Sequence, residues 1–593
     1  MIVDALKRLE YRGYDSAGVA TLHGSDLGRR RAEGKLVNLE AELRDNPLDG
    51  QIGIGHTRWA THGAPVVMNA HPHFSANVAV VHNGIIENFR ELRTELEGDG
   101  FSFSSQTDTE VIAHLVAKYL KSGLPPEQAA HAAIERLRGA FAIAIMFGTN
   151  DDLIVAGRHG PPLAIGHGDG EMYLGSDAVA LAPFTNRITY LEDGDWATIT
   201  KDGMQIFGMD GAPVERELQI SSGSAMLVDK GNHRHFMLKE IYEQPEVIGH
   251  TLSHYVSFNE ERVVLPASGD IDFSQVDRIS ITACGTAYLA GLVSKYWFER
   301  WARIPVDIDI ASEFRYREPP MADKGLSIFI SQSGETADTL AGLHYCKSQN
   351  QHLTAIVNVR ESTIARSSDS VFPTLAGPEI GVASTKAFTC QLSVLASLAI
   401  AAGVQRGLID RETEKRLVDE LSEAPRFAHE ALKLEDQISA LAHKLANKQH
   451  VLYLGRDTNY ALAMEGALKL KELSYIHAEG YAAGELKHGP IALVDEHMPI
   501  VVIAPYDKIF EKTVSNMQEV AARGGKVILI TDPRGAKEVG MDDTELIIMP
   551  EMPEVITPII YALPIQMLAY HTAVLMGTDV DQPRNLAKSV TVE

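Results

Sequence analysis

Four residues near the start of the sequence have the chemical types that hydrolysis of an amide needs. Arg58 is able to pair with a carboxylate through two N–H groups, and Asp108 is able to hold an ammonium group. The side-chain amide of Asn83 and the backbone N–H of Gly84 are donors that suit an oxyanion. Each residue alone also has a plain structural interpretation, because an Asn-Gly pair usually forms a turn and an Arg beside a Trp usually packs on a surface. Together they indicate a site that binds an amino acid and hydrolyses its side-chain amide.

The nucleophile for such a reaction is missing from this part of the sequence. The three cysteines, Cys284, Cys346 and Cys390, all lie far from Arg58, and the sequence opens at Met1 in residues typical of a helix. Covalent hydrolysis of an amide requires an activated nucleophile. We therefore expect the nucleophile to lie upstream of residue 1, in a start that this sequence lacks. The alternative is a protein that uses free ammonia.

A second set of candidate residues lies in hydroxyl-rich loops that follow apolar runs. Residues 331–336, Ser-Gln-Ser-Gly-Glu-Thr, come after a strand-like run and before a helical pattern. Hydroxyls and free N–H groups at a helix N-terminus bind an anion without any Lys or Arg, although the same residues also make an ordinary N-cap. The loops at 283–286 and 381–386 have a similar position and composition. The set indicates a phosphate ligand.

Candidate acids and bases are concentrated between residues 465 and 490. Isomerising a ketose phosphate requires ring opening and a base that moves a proton between two carbons. The structural alternative is a solvated helix face, because alternating charges at helical spacing usually form i,i+4 pairs. The candidates are Glu465, Lys469, Lys471, Glu472, Glu485, Lys487 and His488.

Composition excludes several classes of protein. At 593 residues the chain is long enough for several domains, since one domain usually has about 100 to 150 residues. The formal charge of −25 opposes non-specific binding to nucleic acid or to an anionic membrane. Three cysteines without regular spacing favour a reducing, cytoplasmic location. Residues 1–20 lack the apolar core of a signal peptide.

Two further patterns favour plain structural interpretations. The uncharged run 555–578 is long enough to span a bilayer, but prolines and polar residues interrupt it, so we expect a buried helix. The pairs His71/His73 and His233/His235 suggest metal ligands, yet no cysteine lies near them and no His-Glu-x-x-His helix is present. We expect no metal and no cofactor.

The arrangement of apolar runs predicts two kinds of architecture. Up to about residue 220 the sequence has short strand-like runs with two helical patterns, at 86–96 and 109–120, which favours an α+β domain. Small polar residues at 221–224 and 229–232 then indicate a linker. Beyond it, two series of apolar runs alternate with helical patterns, which predicts two similar α/β units with parallel sheets. Their strands are expected at 279–282, 306–310, 327–330, 354–357, 451–454, 500–504, 526–530 and 546–549.

The order of these motifs closely resembles that of the glutamine:fructose-6-phosphate amidotransferases, a family also called glucosamine-6-phosphate synthases. The resemblance covers essentially the whole sequence. It implies a truncated α+β N-terminal-nucleophile glutaminase domain followed by two tandem α/β sugar isomerase (SIS) domains with parallel sheets. The segments that carry it are 11–18, 56–63, 69–73, 82–88, 107–110, 469–472, 484–490 and 579–593.

The resemblance assigns roles in the first half of the chain. In this family an N-terminal cysteine, exposed by removal of the initiator Met, attacks glutamine and uses its own α-amino group as the base. Asn83 and Gly84 would form the oxyanion hole, and Trp59 would lie near the passage for ammonia. The implied glutamine-binding residues are Arg58, Thr61, His62, Gly84 and Asp108.

The resemblance also assigns roles in the second half. Glu472 would transfer the proton between C1 and C2 with help from Lys469, and His488 would open the sugar ring in the site of a neighbouring subunit. Lys588 would form a Schiff base with the open ketose. Without the resemblance, Lys588 has the position of an exposed lysine in a loose tail. A Schiff base requires a partly deprotonated amine, which burial favours, so we predict that the side chain of Lys588 is covered. The implied sugar-phosphate ligands are Thr286, Ser331, Gln332, Ser333, Thr336, Val382 and Ser384, and Ala287 stands where a serine is common in the family.

Taken together, the sequence predicts a cytoplasmic homodimeric transaminase that makes glucosamine-6-phosphate from fructose-6-phosphate and glutamine. Its glutaminase half is expected to be inactive in this sequence. Two alternatives stay open: a non-catalytic sugar-phosphate-binding regulator, and an ammonia-only aminating isomerase. The predicted divisions are 1–220 for the glutaminase domain, 221–265 for the linker and lead-in helix, 266–408 and 409–578 for the SIS domains, and 579–593 for the tail.

Overall fold

A computed structural model describes residues 1–10, 14–59, 62–150, 152–176, 178–220, 230–266, 271–540 and 544–591. The chain divides into two compact units. Unit 1 comprises residues 1–228 and 589–593, and unit 2 comprises residues 229–588.

Unit 1 is an α+β structure built on three antiparallel sheets, as its alternating strand patterns predict. The largest sheet has the strand order β13-β12-β11-β7-β6-β5-β4, and the smaller ones have the orders β2-β1-β3 and β14-β10-β8-β9. Its helices are α1 Ile2–Lys7, α2 Leu36–Asp45, α3 Phe89–Gly98, α4 Glu110–Lys121, α5 Pro126–Ile134 and α6 Ala178–Leu181. Its strands are β1 Ser16–His23, β2 Asp26–Glu33, β3 Ile52–Arg58, β4 His73–Ser75, β5 Val78–Ile86, β6 Gly139–Phe147, β7 Ile154–His159, β8 Ala164–His167, β9 Met172–Gly175, β10 Arg187–Tyr190, β11 Trp196–Thr200, β12 Gly203–Phe207, β13 Pro213–Val214 and β14 Leu218–Ile220.

The core of unit 1 lies between its helices and the central strands of the large sheet. Helices α3, α4 and α5 pack their apolar residues against β5, β6 and β7. The helix expected from Ile86 begins only at Phe89, because Ile86 still pairs with Gly139 at the end of β5. The second expected helix is α4, which begins at Glu110.

Unit 2 contains two parallel five-stranded sheets with the same topology. The first has the order β18-β17-β19-β20-β21 and the second has the order β23-β22-β24-β25-β26. Its strands are β15 Val256–Ser257, β16 Arg262–Val263, β17 Arg278–Ala283, β18 Val306–Ile310, β19 Gly325–Ser331, β20 His352–Val357, β21 Ser370–Pro373, β22 His450–Gly455, β23 His477–Ala482, β24 Pro499–Ile503, β25 Lys526–Thr531 and β26 Glu545–Ile548. Its helices are α7 Phe236–Tyr255, α8 Gly285–Trp297, α9 Ala311–Arg317, α10 Ala337–Ser348, α11 Thr363–Arg366, α12 Lys386–Gln405, α13 Arg411–Ser422, α14 Ala424–Leu432, α15 Glu435–Ala442, α16 Thr458–Ser474, α17 Phe510–Ala521, α18 Pro533–Val539, α19 Thr557–Ile560 and α20 Ala562–Met576.

The eight strands predicted for unit 2 are all present, and the sequence does not predict two edge strands of the parallel sheets or the short pair β15 and β16. β21 has four residues and ends in a proline, and β23 reads His-Ala-Glu-Gly-Tyr-Ala. Neither has the continuous apolar run that marks a strand buried on both faces. Position at the edge of a sheet explains why such residues still form strands.

Two helical segments of the described chain are long and apolar enough to cross a membrane, and both are mostly buried in unit 2. They are Lys386–Gln405, with 94% of its apolar window buried, and 554–576, with 78% buried. The second is the uncharged run noted in the sequence. Such burial is what the core helices of an α/β unit require.

A glycine in β23 sets how closely that strand approaches α16. A Cβ atom at Gly480 would lie 2.5 Å from the Cα of Met464 and 2.6 Å from its backbone nitrogen. Both atoms are backbone, so the clash is relieved only if the helix moves away from the strand. Gly480 therefore fixes the position of α16.

We expect Gly480→Ala to lower the free energy of unfolding of unit 2 by about 1 to 3 kcal/mol, because overpacking displaces α16. Denaturant unfolding followed by circular dichroism measures the loss. Gly98→Ala is the matched control, since a Cβ there meets no atom within 4 Å. Equal stability of the two variants would contradict the close approach.

Candidate active sites

The hydroxyl-rich loop at 331–336 lies at the switch point of the first parallel sheet of unit 2. In the order β18-β17-β19 the chain reverses its direction of winding between β17 and β19, and ligands bind at the carboxyl ends of such strands. Ser331 is the last residue of β19 and is buried. Its Oγ accepts the N–H of Gly334 at 2.9 Å and lies 3.0 Å from the Oγ1 of Thr336. The loop is thus held by its own hydroxyls in front of α10, with Gln332 and Ser333 half-buried beside it.

The loop after β17 connects the same edge of the sheet to α16. Gly285 has a φ of +53°, which begins α8 with a turn that suits glycine. The next residue, Thr286, donates its hydroxyl to Oε1 of Glu465 at 3.2 Å. The first sheet and the charged helix of the second sheet therefore meet at this threonine.

Three charged residues on α16 form a largely buried cluster. The Nζ of Lys469 lies 3.6 Å from Oε1 of Glu465 and 2.5 Å from Oε2 of Glu472. The side chains of Glu465 and Lys469 are 0% and 1% exposed, whereas that of Glu472 is 20% exposed. The interpretation of this segment as a solvated face is therefore wrong for Glu465 and Lys469. Of the three, Glu472 is the one open to solvent and to a ligand.

Burial shapes the protonation of this cluster. Burial, and then the charge of Glu472, raise the pKa of Glu465 to about 8 against the opposing effect of Lys469. Burial alone would lower the pKa of Lys469, but the two carboxylates raise it. The two acids thus favour the charged form of Lys469, while burial disfavours the charged form of Glu465.

Lys588 is buried, as expected for a tail that folds over the site. Its Nζ forms an ion pair with Oε2 of Glu379, with side-chain exposures of 1% and 0%, and lies 3.5 Å from the Oγ of Ser384. Burial would raise the pKa of Glu379, but Lys588 and the N–H groups of Ala387 and Thr385 lower it. Glu379 is absent from the residues predicted for this site, because only the fold brings this loop residue against the tail.

The tail is held in place by Asp581. Its carboxylate accepts the N–H groups of Phe236 and Met237 at the start of α7, each at 3.0 Å. Its carbonyl accepts the N–H of Val382 at 3.0 Å. The tail therefore joins α7 to the loop that carries Val382 and Ser384.

His488 stands apart from this cluster. It ends a short 3-10 helix, Ala483–His488, and its side chain is exposed. No hydrogen bond or ion pair joins it to Glu472, Lys469 or Lys588 in the described part of the chain. Ala287 is half-buried in α8 next to Thr286.

In unit 1, Arg58 and Asp108 both organise the backbone around them. Arg58 ends β3, is buried, and donates to the carbonyls of His62 at 2.5 Å and Gly63 at 3.2 Å. Burial lowers the pKa of Arg58, while Asp15 and Asp108 oppose this effect. Asp108 is also buried and accepts the N–H of Ile86 at 2.8 Å. Arg58 therefore shapes the loop after β3 that contains His62.

Asn83 and Gly84 lie in β5, opposite β6. Gly84 has a φ of +134°, and a Cβ there would lie 2.0 Å from the carbonyl oxygen of Ala140. Only glycine fits this position, and Asn83 next to it is half-buried. Trp59 is 39% exposed, and Thr61 lies outside the described residues.

A buried histidine cluster beneath these residues was not anticipated as a unit. His82 adjoins Asn83, and its Nδ1 lies 3.0 Å from the Oγ1 of Thr109; the Nε2 of His71 lies 3.1 Å from the same atom. His56 stacks on His71 with ring centroids 4.4 Å apart. Thr109 adjoins Asp108, so the cluster links both candidate segments. Among the described residues no group of side chains has the arrangement of a metal site.

Family models agree with this division of the chain. A model described as a glutamine amidotransferase domain matches residues 60–183, and one described as a SIS domain matches residues 272–401 and 444–576. A protein of Mesorhizobium japonicum named glutamine–fructose-6-phosphate aminotransferase (isomerizing) is 70% identical over 593 residues, which cover 100% of this chain and 98% of that protein. A protein of Brucella suis with the same name is 66% identical over 592 residues, covering 100% and 97%. The solved C-terminal domain of glucosamine-fructose-6-phosphate aminotransferase from Francisella tularensis is 44% identical with a TM-score of 0.58, and covers 60% of this chain and 100% of its own.

We expect unit 1 to lose stability as the pH falls below about 6.5, the pKa of histidine in an unfolded chain. Burial lowers the pKa of His56 and His73 to about 3 and also lowers those of His71 and His82. The unfolded state then binds protons that the folded state does not, which costs about 1 kcal/mol per histidine between pH 6.5 and 5.5. Hydrogen exchange of β5, followed by mass spectrometry at pH 7.5 and 5.5, measures the loss.

The exposed His23 supplies the control for this experiment. His23→Gln should leave the pH dependence unchanged, whereas His73→Gln should reduce it. Equal protection of β5 at both pH values in the unmodified chain would contradict the expectation.

Proposed function

The chain belongs to the family of isomerizing glutamine–fructose-6-phosphate aminotransferases, and from this premise we propose that it converts fructose-6-phosphate and glutamine into glucosamine-6-phosphate and glutamate. The observation that carries the proposal in unit 2 is the buried amine of Lys588 beside Glu379 and Ser384. A lysine whose buried amine lies among polar groups suits Schiff-base chemistry on a carbonyl. The product belongs to amino-sugar synthesis, and the reaction needs no cofactor.

The proposed chemistry of unit 2 begins with the phosphate. The hydroxyls of Ser331, Ser333 and Thr336 and the amide of Gln332 hold it, while Thr286, Val382 and Ser384 surround the sugar. After ring opening by His488, the neutral amine of Lys588 attacks C2 and water leaves. Ammonia then displaces the lysine, and Glu472, assisted by Lys469, moves a proton from C1 to C2. We assign His488 to the site of a second subunit in a homodimer, which agrees with its exposure.

The proposed chemistry of unit 1 is that of an N-terminal-nucleophile glutaminase. Asn83 and Gly84 donate to the oxyanion, and the ammonia passes Trp59 on its way to the sugar. Buried Arg58 and Asp108 support a site for the charged ends of an amino acid. The glutamine-binding residues are Arg58, Thr61, His62, Gly84 and Asp108.

We further propose the domain limits 1–220, 266–408 and 409–578, with 221–265 as linker and lead-in helix and 579–593 as the tail. We also propose a cytoplasmic location, which agrees with the burial of the two apolar helices.

Assays with two nitrogen donors test the function directly. We expect the 593-residue chain to form glucosamine-6-phosphate from fructose-6-phosphate and concentrated ammonium salt, because the groups of unit 2 are all present. With glutamine we expect no product from these 593 residues, because the proposed glutaminase reaction needs a nucleophilic cysteine in unit 1 and all three cysteines of this sequence lie in unit 2. Product from glutamine would refute the second expectation, and no product from either donor would favour a sugar-phosphate-binding protein without catalysis.

Replacing Lys588 tests the Schiff base. Lys588→Ala should lower ammonium-dependent turnover by at least about 1,000-fold, since the covalent route is lost, while binding of the sugar phosphate stays within about tenfold. Reduction of the unmodified enzyme with borohydride in the presence of fructose-6-phosphate should attach the sugar to Lys588, as measured by mass spectrometry.

The exposed Lys537 on α18 is the control position. Lys537→Ala should behave as the unmodified enzyme in both assays. Unchanged turnover in Lys588→Ala would exclude the assigned role.

A further inference from the structure

A second buried carboxyl group lies against the loop that carries Glu379. Glu240, on α7, is 2% exposed. Its Oε1 accepts the backbone N–H groups of Ile380 at 2.5 Å and Gly381 at 3.1 Å. These are the two residues that follow Glu379, so Glu240 fixes the backbone between Glu379 and Val382.

Glu379 accepts more hydrogen bonds than Glu240 does. The carboxylate of Glu379 accepts hydrogen bonds from the amine of Lys588 and from the hydroxyl of Ser384 at 3.0 Å. It also accepts the backbone N–H groups of Thr385 at 2.9 Å and Ala387 at 3.0 Å. Glu240 receives only its two N–H groups, and its Oε2 has no hydrogen-bond partner among the described residues. A protonated carboxyl tolerates such an oxygen far better than a carboxylate does.

Charge balance leads to the same assignment. One ammonium, that of Lys588, is bound to this pair of buried carboxyl groups. Two other cations of unit 2 have carboxylate partners of their own: Lys386 of α12 is paired with Glu243 at 2.7 Å, and Lys469 lies 2.5 Å from Glu472. Glu243 also pairs with Lys239 of α7 at 3.3 Å. Burial and the charge of Glu379 raise the pKa of Glu240, whereas Lys588 lowers it less. Glu240 is therefore the protonated member of the pair at neutral pH.

We propose that Glu240 is a neutral positioning residue for the amine of Lys588. It holds the Glu379 loop in place and leaves Glu379, within the described part of the chain, as the only charged partner of the amine. A second negative charge here would stabilise the ammonium form of Lys588 and suppress the free amine that attacks C2. This inference rests on the proposed function of unit 2.

Two substitutions at position 240 test whether a neutral hydrogen-bond acceptor is sufficient there. Glu240→Gln keeps an acceptor for both N–H groups without charge, and we expect its kcat with ammonium to stay within about threefold of the unmodified enzyme. Glu240→Ala removes the acceptor, and we expect kcat to fall by at least about 100-fold with a smaller change in KM for fructose-6-phosphate. Borohydride trapping of the sugar on Lys588 should decrease in Glu240→Ala and persist in Glu240→Gln.

The control is Glu246→Gln, which removes a carboxylate of the same helix whose side chain is 73% exposed. It should match the unmodified enzyme. A Glu240→Gln variant as inactive as Glu240→Ala would overturn the proposal, because it would mean that the charge is required. Full activity of Glu240→Ala would also overturn it. Inactivity of the unmodified chain with ammonium would instead refute the proposed function.

A spectroscopic measurement keeps the inference testable if Glu240→Ala does not fold. The infrared difference between the unmodified protein and Glu240→Gln at neutral pH should contain the C=O band of one protonated carboxyl group. Absence of that band would overturn the proposal.

Discussion

The packing of the tail in unit 2 depends on the buried ion pair between Lys588 and Glu379. Taking both charges out of water is costly, and their attraction offsets that cost only when further donors satisfy the carboxylate. Those donors come from the start of α12 and from Ser384. The tail, the loop after β21 and α12 must therefore be assembled together. Leaving one partner of such a pair buried alone costs about 3 to 5 kcal/mol, so residues 579–588 of the tail are an integral part of unit 2.

Helix α7 holds both segments that form this ion pair. Asp581 binds the first N–H groups of α7, and Glu240 binds the loop from the middle of that helix. An acidic side chain at a helix N-terminus is favourable for the helix dipole as well as for its free N–H groups. The helix that leads into unit 2 is thus bound at its start to the tail and in its middle to the loop that follows Glu379.

The two parallel sheets have the same topology but carry different residues at their carboxyl ends. The first sheet supplies the hydroxyl loops after β17 and β19, at its switch point. The corresponding loops of the second sheet carry Asp457 and Asp507, whose charge does not suit a phosphate. The second sheet contributes α16 instead, with Glu465 bound to Thr286 of the first. In unit 1, the buried histidines similarly link the segment of Asn83 to that of Asp108 through one threonine hydroxyl.

The sequence by itself determined the class of each unit and the identity of most candidate groups. Apolar runs at strand and helix spacing identified the α+β unit and every central strand of the parallel sheets, because burial on both faces leaves a continuous pattern. The short edge strands β21 and β23 lack that pattern. Motif order identified Arg58, Asp108, Ser331 and Lys588, since chemistry fixes residue types. Only the tertiary structure decided that Glu465 and Lys469 are buried and that Glu379 and Glu240 converge on Lys588. The physical reason is that desolvation and charge pairing act between segments distant in the chain, and no local pattern records them.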